Sequence, residues 1–250
     1  MALLTSFGSV TRRGAAVLVA SGTALQLPCC VRSSAAPWRS CAFTPRRANS
    51  SSLSSANQSG NPIDSVRLLK DEVVYKGWRT VKRRTVSFPD GSVHEFDVTD
   101  APPAVLCLPY NSKTKTFTLL REYCPGPHCG MFCVVAGLLE PRHQSVEHCV
   151  ACETEEEAGV RGGRLVPIME NANLQLPGAK YTAQPFLPFL VIDGQKVSSD
   201  RLAADADELI ETHEASTSEA LDIVYKGQMT STGSMMVLLG IHKLRQMGLL

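Results

Sequence analysis

One predicted helix places acidic side chains on the stripe that should face the protein interior. Residues 145–158, SVEHCVACETEEEA, follow a helical period, and four glutamates crowd into five positions near the end. At about 100° per residue, one stripe of this helix consists of Val146, Cys149, Val150, Glu153 and Glu157. Glu156 lies beside the stripe, whereas Glu155 points away from it. Because the apolar residues fix the orientation of the helix, its burial turns carboxylates inward.

Inward carboxylates are unfavourable because a buried ion loses its hydration, and the negative end of the helix dipole adds to the penalty. A hard divalent cation compensates both effects, and Mg²⁺ prefers oxygen ligands. Glu153, Glu156 and Glu157 are spaced i, i+3 and i+4, so they can converge on one or two such ions. The alternative is a solvated acidic helix end that pairs with surface Lys or Arg.

Charge is distributed unevenly along the 250 residues. Residues 1–60 contain six arginines, no lysine and no acidic residue, which leaves 19 basic and 24 acidic residues for the rest of the chain. A body with a net charge of about −5 lacks the basic face that nucleic-acid binding requires. No apolar run has the length of a membrane helix. We therefore expect neither nucleic acid nor a membrane as a partner.

The N-terminal segment is typical of an organelle transit peptide. Residues 1–60 are rich in Arg and Ser and end in the low-complexity run ANSSSLSSANQSG. The uncharged residues 14–31 also fit a secretory signal, for instance the first half of a two-part plastid signal. A tail without a targeting role is the remaining alternative. In each case we expect this segment to lie outside the fold.

The body of the chain has strand patterns first and helix patterns last. Two hairpins are predicted, one around the turn PDG at 89–91 and one around NSKTK at 111–115. An apolar run at 131–139 precedes the acidic helix, and QPFLPFLVI is a strand whose two prolines predict an irregular start. After a strand at 208–216, two helices end near Gly227 and Gly248. This order predicts an α+β fold with a mixed sheet.

The six cysteines after residue 60 indicate buried free thiols, because no pair of CxxC knuckles is present. The alternative is a zinc site, which rests only on His128 beside Cys129 and on His148 beside Cys149.

Spacing around the acidic helix matches a known motif. GLLEPRHQSVEHCVACETEEEAGV, residues 137–160, resembles the Nudix box, whose pattern is G-x5-E-x7-R-E-U-x-E-E-x-G-U with U an apolar residue. With Gly159 as the anchor, Glu153 takes the Glu of the RE pair, and Glu156 and Glu157 take the EE pair. Two features depart from the pattern: Cys152 replaces the Arg of the RE pair, and the loop Glu has no clear equivalent.

The likeness extends over residues 65–250. The segments KGWRTVKRRTVSFPDGSVHEFDV, LLREYCPGP, VAGLLE and DADELIETHEAS resemble the plastid ADP-sugar diphosphatases of plants and related nucleotide-sugar diphosphatases. This resemblance implies a Nudix αβα sandwich at 99–250, preceded at 61–98 by an antiparallel β extension. It also implies a homodimer formed through the strands at 70–98, and a plastid location with the mitochondrion as the alternative.

The resemblance further implies Mg²⁺-dependent hydrolysis, with Mn²⁺ as the alternative ion, of ADP-glucose or ADP-ribose to AMP and a sugar phosphate. Glu153, Glu156 and Glu157 would bind metal, and the last two would also be catalytic. Non-catalytic nucleotide binding remains an alternative function. So does hydrolysis of other nucleoside diphosphate derivatives such as UDP-sugars, or of oxidised nucleoside triphosphates.

The substrate-binding residues implied by the resemblance are Arg121, Glu122, Gly137 and Pro177. Gly137 and the Ala136 backbone would support the loop before the helix. The carboxylate that activates water would come from the late acidic segment, where Glu208 is favoured over Glu211. A turn at Pro177–Gly178 would favour ADP-sugars, and Tyr181 or Tyr123 could stack on adenine.

Overall fold

A mixed β-sheet runs through the part of the chain that the computed structural model describes, residues 61–170, 174–197 and 209–250. Residues 1–60, the predicted transit segment, lie outside the described residues. In chain order the main strands are β1 (Arg67–Lys76), β2 (Thr80–Ser87), β3 (Val93–Asp100), β4 (Ala104–Asn111), β5 (Thr116–Cys124), β6 (Cys129–Cys133) and β7 (Val135–Leu138). The later strands are β8 (Val160–Arg161), β9 (Arg164–Pro167), β10 (Leu176–Ala179), β11 (Thr182–Ile192), β12 (Gln195–Lys196) and β13 (Ile210–Ser216).

The strand order explains why the sheet is mixed. It runs β1–β2–β3–β11–β4–β5–β13, with β6 paired to β5, β7 to β4, and both β9 and β10 to β11. The two predicted hairpins are confirmed as β2–β3 and β4–β5. Strand β11 is parallel to β3 and β4, whereas the other pairs of this sheet are antiparallel. Strands β8 and β12 form a separate two-stranded sheet.

Strand β11 has the predicted irregular start, because its pairing with β10 shifts register between Thr182 and Pro185, and it then continues to Ile192. Pro185 lies opposite Pro177 of β10, so two residues without N–H groups face each other. Pro188 lies where the neighbour of β11 changes from β10 to β9. Prolines are tolerated at such interruptions of a ladder, which is why the strand continues through both.

Helices cover the two faces of the sheet. The acidic helix α1 (Val146–Ala158) packs on one face, where its Cys149 and Val150 join a buried cluster with residues of β4, β5 and β11. Helices α2 (Thr217–Tyr225) and α3 (Ser231–Gln246) pack on the other face over a second cluster that includes Met236 and Leu244. The predicted αβα sandwich is thereby confirmed. No helix in the described ranges is long and apolar enough to cross a membrane.

Side-chain and glycine signals set the ends of the helices. Ser145 caps α1, since its hydroxyl accepts a hydrogen bond of 3.0 Å from the His148 backbone N–H. Gly159 ends the same helix at φ 60°, a left-handed conformation that favours glycine. Gly227 and Gly248, the predicted stops of the later helices, have φ values of 67° and 68°.

The Ser145 cap gives a stability prediction. Ser145→Ala removes the acceptor of the His148 N–H and should lower the free energy of unfolding by about 1 kcal/mol. Urea denaturation followed by circular dichroism measures this change. Ser231→Ala, at the exposed first turn of α3, is the matched control and should change stability by less than about 0.5 kcal/mol. Equal effects of the two substitutions would contradict the capping role.

Candidate functional site

The second half of α1 lies against strand β7, and two glutamates fit into the backbone of that strand. The Ala136 N–H donates a hydrogen bond of 3.2 Å to Glu157 Oε2. A Cβ atom added to Gly137 would lie only 2.0 Å from Glu153 Cδ, so the missing side chain of Gly137 provides the space for this carboxylate. Glu153 and Glu157 are each 7% exposed, and Glu156 is half-buried. The structure therefore brings the three predicted metal ligands and Gly137 together.

The fourth glutamate of the run is buried on another side of the helix. Arg161 donates two hydrogen bonds to Glu155, from Nη2 to Oε1 at 2.7 Å and from Nε to Oε2 at 2.8 Å. Two parallel bonds between a guanidinium and a carboxylate form a strong pairing. Glu155 is thus a structural residue that closes the end of α1.

Arg142, which sequence reasoning missed, reaches three carboxylates from the loop before α1. Its Nη2 lies 3.4 Å from Glu153 Oε1, its Nη1 lies 3.5 Å from Glu156 Oε1, and its Nε lies 2.7 Å from Glu140 Oε2. A lone arginine in a loop gives no periodic signal. The signal that the sequence does offer is Cys152, which stands where the box pattern has Arg, so that a cation from another segment has to neutralise the glutamates.

The loop before α1 is held in spite of its departures from the box pattern. The His143 N–H donates to the Glu140 carbonyl at 3.0 Å, and the Glu140 N–H donates to His143 Nδ1 at 3.1 Å. Cys149 Sγ donates to the Leu138 carbonyl at 3.6 Å. These contacts, together with the Arg142 ion pairs, provide the rigidity that the absent Arg and Glu of the pattern would supply.

His143, Cys149 and Glu153 lie near enough to one another to suggest a site for a softer metal ion. The hydrogen bond that Nδ1 accepts from Glu140, however, leaves the proton of a neutral ring on Nε2. That nitrogen lies 3.7 Å from Glu153 Oε1. Burial lowers the pKa of His143, and the adjacent Arg142 cation lowers it further. The ring is therefore a neutral N–H group facing a carboxylate rather than a metal ligand.

The cysteines of the described ranges are free thiols. Burial raises the pKa of Cys149 to about 12 and also raises the pKa of Cys133 strongly, so both remain protonated. Cys152, at the position of the box Arg, contacts the His148 ring with Sγ 3.7 Å from Nε2. Protonated, scattered thiols agree with the prediction of free cysteines.

A cleft of about 630 Å³ opens beside the glutamates. Its floor and rim include Glu153 of α1, Gly137 of β7, Arg142 of the loop, and residues of β11. The hairpin between β1 and β2 contributes the other side, with Trp78 88% exposed. The remaining polar and aromatic groups of the lining are Arg79, Thr80, Asp100, Glu140, Gln184, Phe186 and Thr232. The cleft therefore combines carboxylates, cations and flat apolar surfaces.

Neighbouring residues Arg121 and Glu122 of β5 lie on opposite faces of the sheet. Glu122 lies two residues after Leu120 and so shares its face of the strand, and the Leu120 side chain is buried on the α1 face. On that face Glu122 and Glu157 both lie near the Cys133 thiol. Arg121 is exposed on the face of α2 and α3, opposite Glu211 of β13. The structure thus brings Glu122, but neither Arg121 nor Glu211, to the side of the glutamates. Glu208 lies outside the described residues.

The prediction of a turn at Pro177–Gly178 is wrong, because both residues lie in strand β10. The observed turn follows at Lys180 and Tyr181. In the described residues β10 pairs only with β11 and is therefore an edge strand. Edge strands tolerate proline, which explains Pro177. Gly178 packs near Phe186, and Phe186 lines the cleft, so β10 supports this part of the cleft wall.

The two tyrosines considered for adenine are engaged elsewhere. Tyr181 lies over Phe96 at 6.4 Å between ring centroids, and the Tyr123 hydroxyl lies 2.6 Å from His128 Nδ1. Neither residue lines the cleft, where Trp78 and Phe186 are the aromatic side chains.

The donor set at the cleft fits a hard divalent cation. Glu153, Glu156 and Glu157 supply carboxylate oxygens, which Mg²⁺ prefers. The guanidinium of Arg142 already lies between two of them, which shows that the site requires positive charge.

The close fit of Gly137 and Glu153 gives a second prediction. Gly137→Ala should force the Glu153 carboxylate out of its place and lower the free energy of unfolding by about 1–3 kcal/mol. Gly130→Ala is the control, since its added methyl group would lie 3.6 Å from Arg121 in ordinary contact. Thermal denaturation compares the two variants, and a Gly137→Ala protein as stable as the control would contradict the assigned fit.

Comparison with known proteins agrees with this geometry. The family model for the NUDIX domain matches residues 100–224, which include β4 to β7, α1 and β11. One solved structure, "Crystal structure of ADP compounds hydrolase", is 18% identical with a TM-score of 0.61, and the match covers 74% of this chain and 97% of that chain. Among curated proteins no sequence matches. Enzymes of the NUDIX family generally use divalent metal ions such as Mg²⁺. Since the family model spans half of the chain, including the glutamate helix, this protein belongs to the NUDIX family.

Proposed function

We propose that this protein is a Mg²⁺-dependent hydrolase that cleaves the pyrophosphate of ADP-sugars, such as ADP-glucose or ADP-ribose, to AMP and a sugar phosphate. One observation carries the proposal: buried Glu153 lines a cleft of about 630 Å³, and two other residues of its lining, Arg142 and Ala136, contact Glu156 and Glu157. A cleft of this volume falls within the range of sites for drug-sized ligands.

Hydrolysis of a pyrophosphate is slow partly because its negative charge repels the attacking water. A bound divalent ion neutralises this charge and lowers the pKa of a coordinated water. Glu153, Glu156 and Glu157 would hold that ion. Gly137 and the Ala136 N–H contribute by fixing two of these carboxylates at their positions.

The rest of the cleft offers groups for the two halves of the substrate. Trp78 presents an exposed indole on which a base could stack, and Gln184 and Asp100 present hydrogen-bonding groups suited to a sugar. Mn²⁺ is the alternative ion for the glutamates. The structural neighbour is described as an ADP compounds hydrolase, which supports testing ADP-linked substrates first.

One further carboxylate has to orient the attacking water. Glu208 remains our candidate from the acidic segment before β13. Glu122 is a second candidate, because it lies on the same face of the sheet as Glu157, with the Cys133 thiol near both. A Glu208→Gln protein and a Glu122→Gln protein separate the two, since only loss of the true base should lower kcat without weakening metal binding.

We also propose a homodimer formed through the N-terminal strands. All ten residues of β1 are exposed, including an apolar group that is 44–58% exposed and consists of Leu68, Leu69, Val73, Val74 and Tyr75. Contiguous apolar surface of this kind marks interaction sites, and an unpaired edge strand invites a partner. A second copy of the chain, with the same strand, satisfies both needs.

Hydrolysis is tested with a protein of residues 61–250, ADP-glucose or ADP-ribose and Mg²⁺, with AMP measured by phosphorus NMR. Glu156→Gln should lower turnover by about two orders of magnitude or more, because a metal ligand is lost while the fold remains. Glu155→Gln is the matched control: it makes the same change on the same helix, away from the cleft, and should retain turnover.

Absence of AMP at any pH from neutral to alkaline would count against the ADP-sugar proposal. Stabilisation by ADP-sugar without product would favour the non-catalytic binding module, and product from UDP-sugars or oxidised nucleoside triphosphates would favour the other substrates.

The dimer is tested by light scattering after size-exclusion chromatography. Wild-type protein should have twice the mass of one chain. Leu69→Asp with Val73→Asp should yield monomers, because charges replace apolar groups at the proposed interface. Leu238→Asp, at an exposed leucine of α3, is the control and should leave the mass unchanged. A monomeric wild-type protein would refute the proposal.

A further inference from the structure

The loop arginine Arg142 occupies the place between two of the proposed metal ligands. Its guanidinium nitrogens lie 3.4 Å from Glu153 Oε1 and 3.5 Å from Glu156 Oε1. A third contact of 2.7 Å ties the same side chain to Glu140 of the loop. Three carboxylates therefore contact one guanidinium.

This arrangement substitutes for the arginine that the box lacks. Cys152 stands at that position and brings no charge, so the buried Glu153 would otherwise face Glu156 with less compensation. Uncompensated like charges in a partly buried site destabilise the fold. Arg142 provides the compensation from outside the helix.

A divalent ion at this site would bind the same two carboxylates that Arg142 contacts. Ligand oxygens lie about 2.1 Å from Mg²⁺, so a guanidinium that remained on Glu153 Oε1 would lie within a few ångströms of the dication. Repulsion at that distance is strong where water is partly excluded. The ion and the guanidinium therefore exclude each other at these carboxylates.

Only the side chain of Arg142 has to move to make room. The loop backbone is fixed by the two hydrogen bonds between Glu140 and His143, whereas the Arg142 side chain is 53% exposed. Glu140 lines the same cleft and keeps a contact for the released guanidinium. The displaced Arg142 guanidinium then points into the space where a diphosphate would lie, and a guanidinium binds phosphate oxygens well through two parallel hydrogen bonds.

We propose that Arg142 is a counter-cation that the divalent ion displaces from Glu153 and Glu156, and that it then binds the substrate's diphosphate. This inference rests on the proposed function, because it needs the metal site at the glutamates. It links metal binding to anion binding: the ion that completes the site also frees the arginine.

The first measurement is Mn²⁺ affinity without any nucleotide, from the electron paramagnetic resonance signal of free Mn²⁺. Arg142→Gln should bind Mn²⁺ about fivefold more tightly than wild type, because two partly exposed ion pairs no longer compete with the ion. Arg142→Lys should lie between the two. Arg245→Gln, an equal loss of charge on exposed α3, is the control and should bind like wild type.

The second measurement is the affinity for methylenediphosphonate at saturating Mn²⁺, by calorimetry. Arg142→Gln should bind this non-hydrolysable diphosphate about tenfold more weakly than wild type, with Arg245→Gln unchanged. Mn²⁺ affinity or diphosphonate affinity that is unchanged in Arg142→Gln would overturn the inference. A wild-type protein that binds no Mn²⁺ would instead overturn the proposed function, so the two failures are distinct.

Discussion

The fit of one carboxylate against one glycine is the constraint on which the site depends. Glu153 occupies the space that a side chain at residue 137 would fill, and the N–H of the preceding residue, Ala136, donates a hydrogen bond to Glu157. This contact sets the distance between α1 and β7, because the helix cannot move closer or rotate without displacing a buried charge. The apolar part of the helix, through Cys149 and Val150, holds the same orientation from the other end.

Sequence patterns were sufficient for the mixed α+β sheet and for the inward glutamates, whereas the αβα sandwich was implied by the family resemblance. The hairpins and the glycine stops are local signals, and each corresponds to an observed feature. Arg142 could not be found this way, because its contacts depend on how an irregular loop folds over the end of α1. The opposite directions of Arg121 and Glu122 were available from strand alternation, but their placement required knowing which face carries α1.

The glutamate run combines two kinds of buried charge. Glu155 is paired with Arg161 of β8, the strand that follows the helix, through two short hydrogen bonds. Glu153 and Glu156 share a longer, more exposed contact with a loop cation. A tight, closed pair serves the fold, whereas a loose pair at a cleft leaves the carboxylates open to exchange. The acid with a structural partner and the proposed metal ligands thus differ in the geometry of their ion pairs.

The junction between the N-terminal hairpins and the rest of the sheet is narrow. Strand β3 meets β11 at one residue pair, Thr99 with Thr182, and the Thr99 N–H donates to the Tyr181 carbonyl at 2.9 Å. Yet Trp78 and Arg79, which precede this junction and lie outside the matched NUDIX domain, form one wall of the cleft. The proposed metal-binding acids and the outer wall of the cleft therefore lie in different parts of the chain, so a substitution in the surface hairpin can change the shape of the ligand space without touching the glutamate helix.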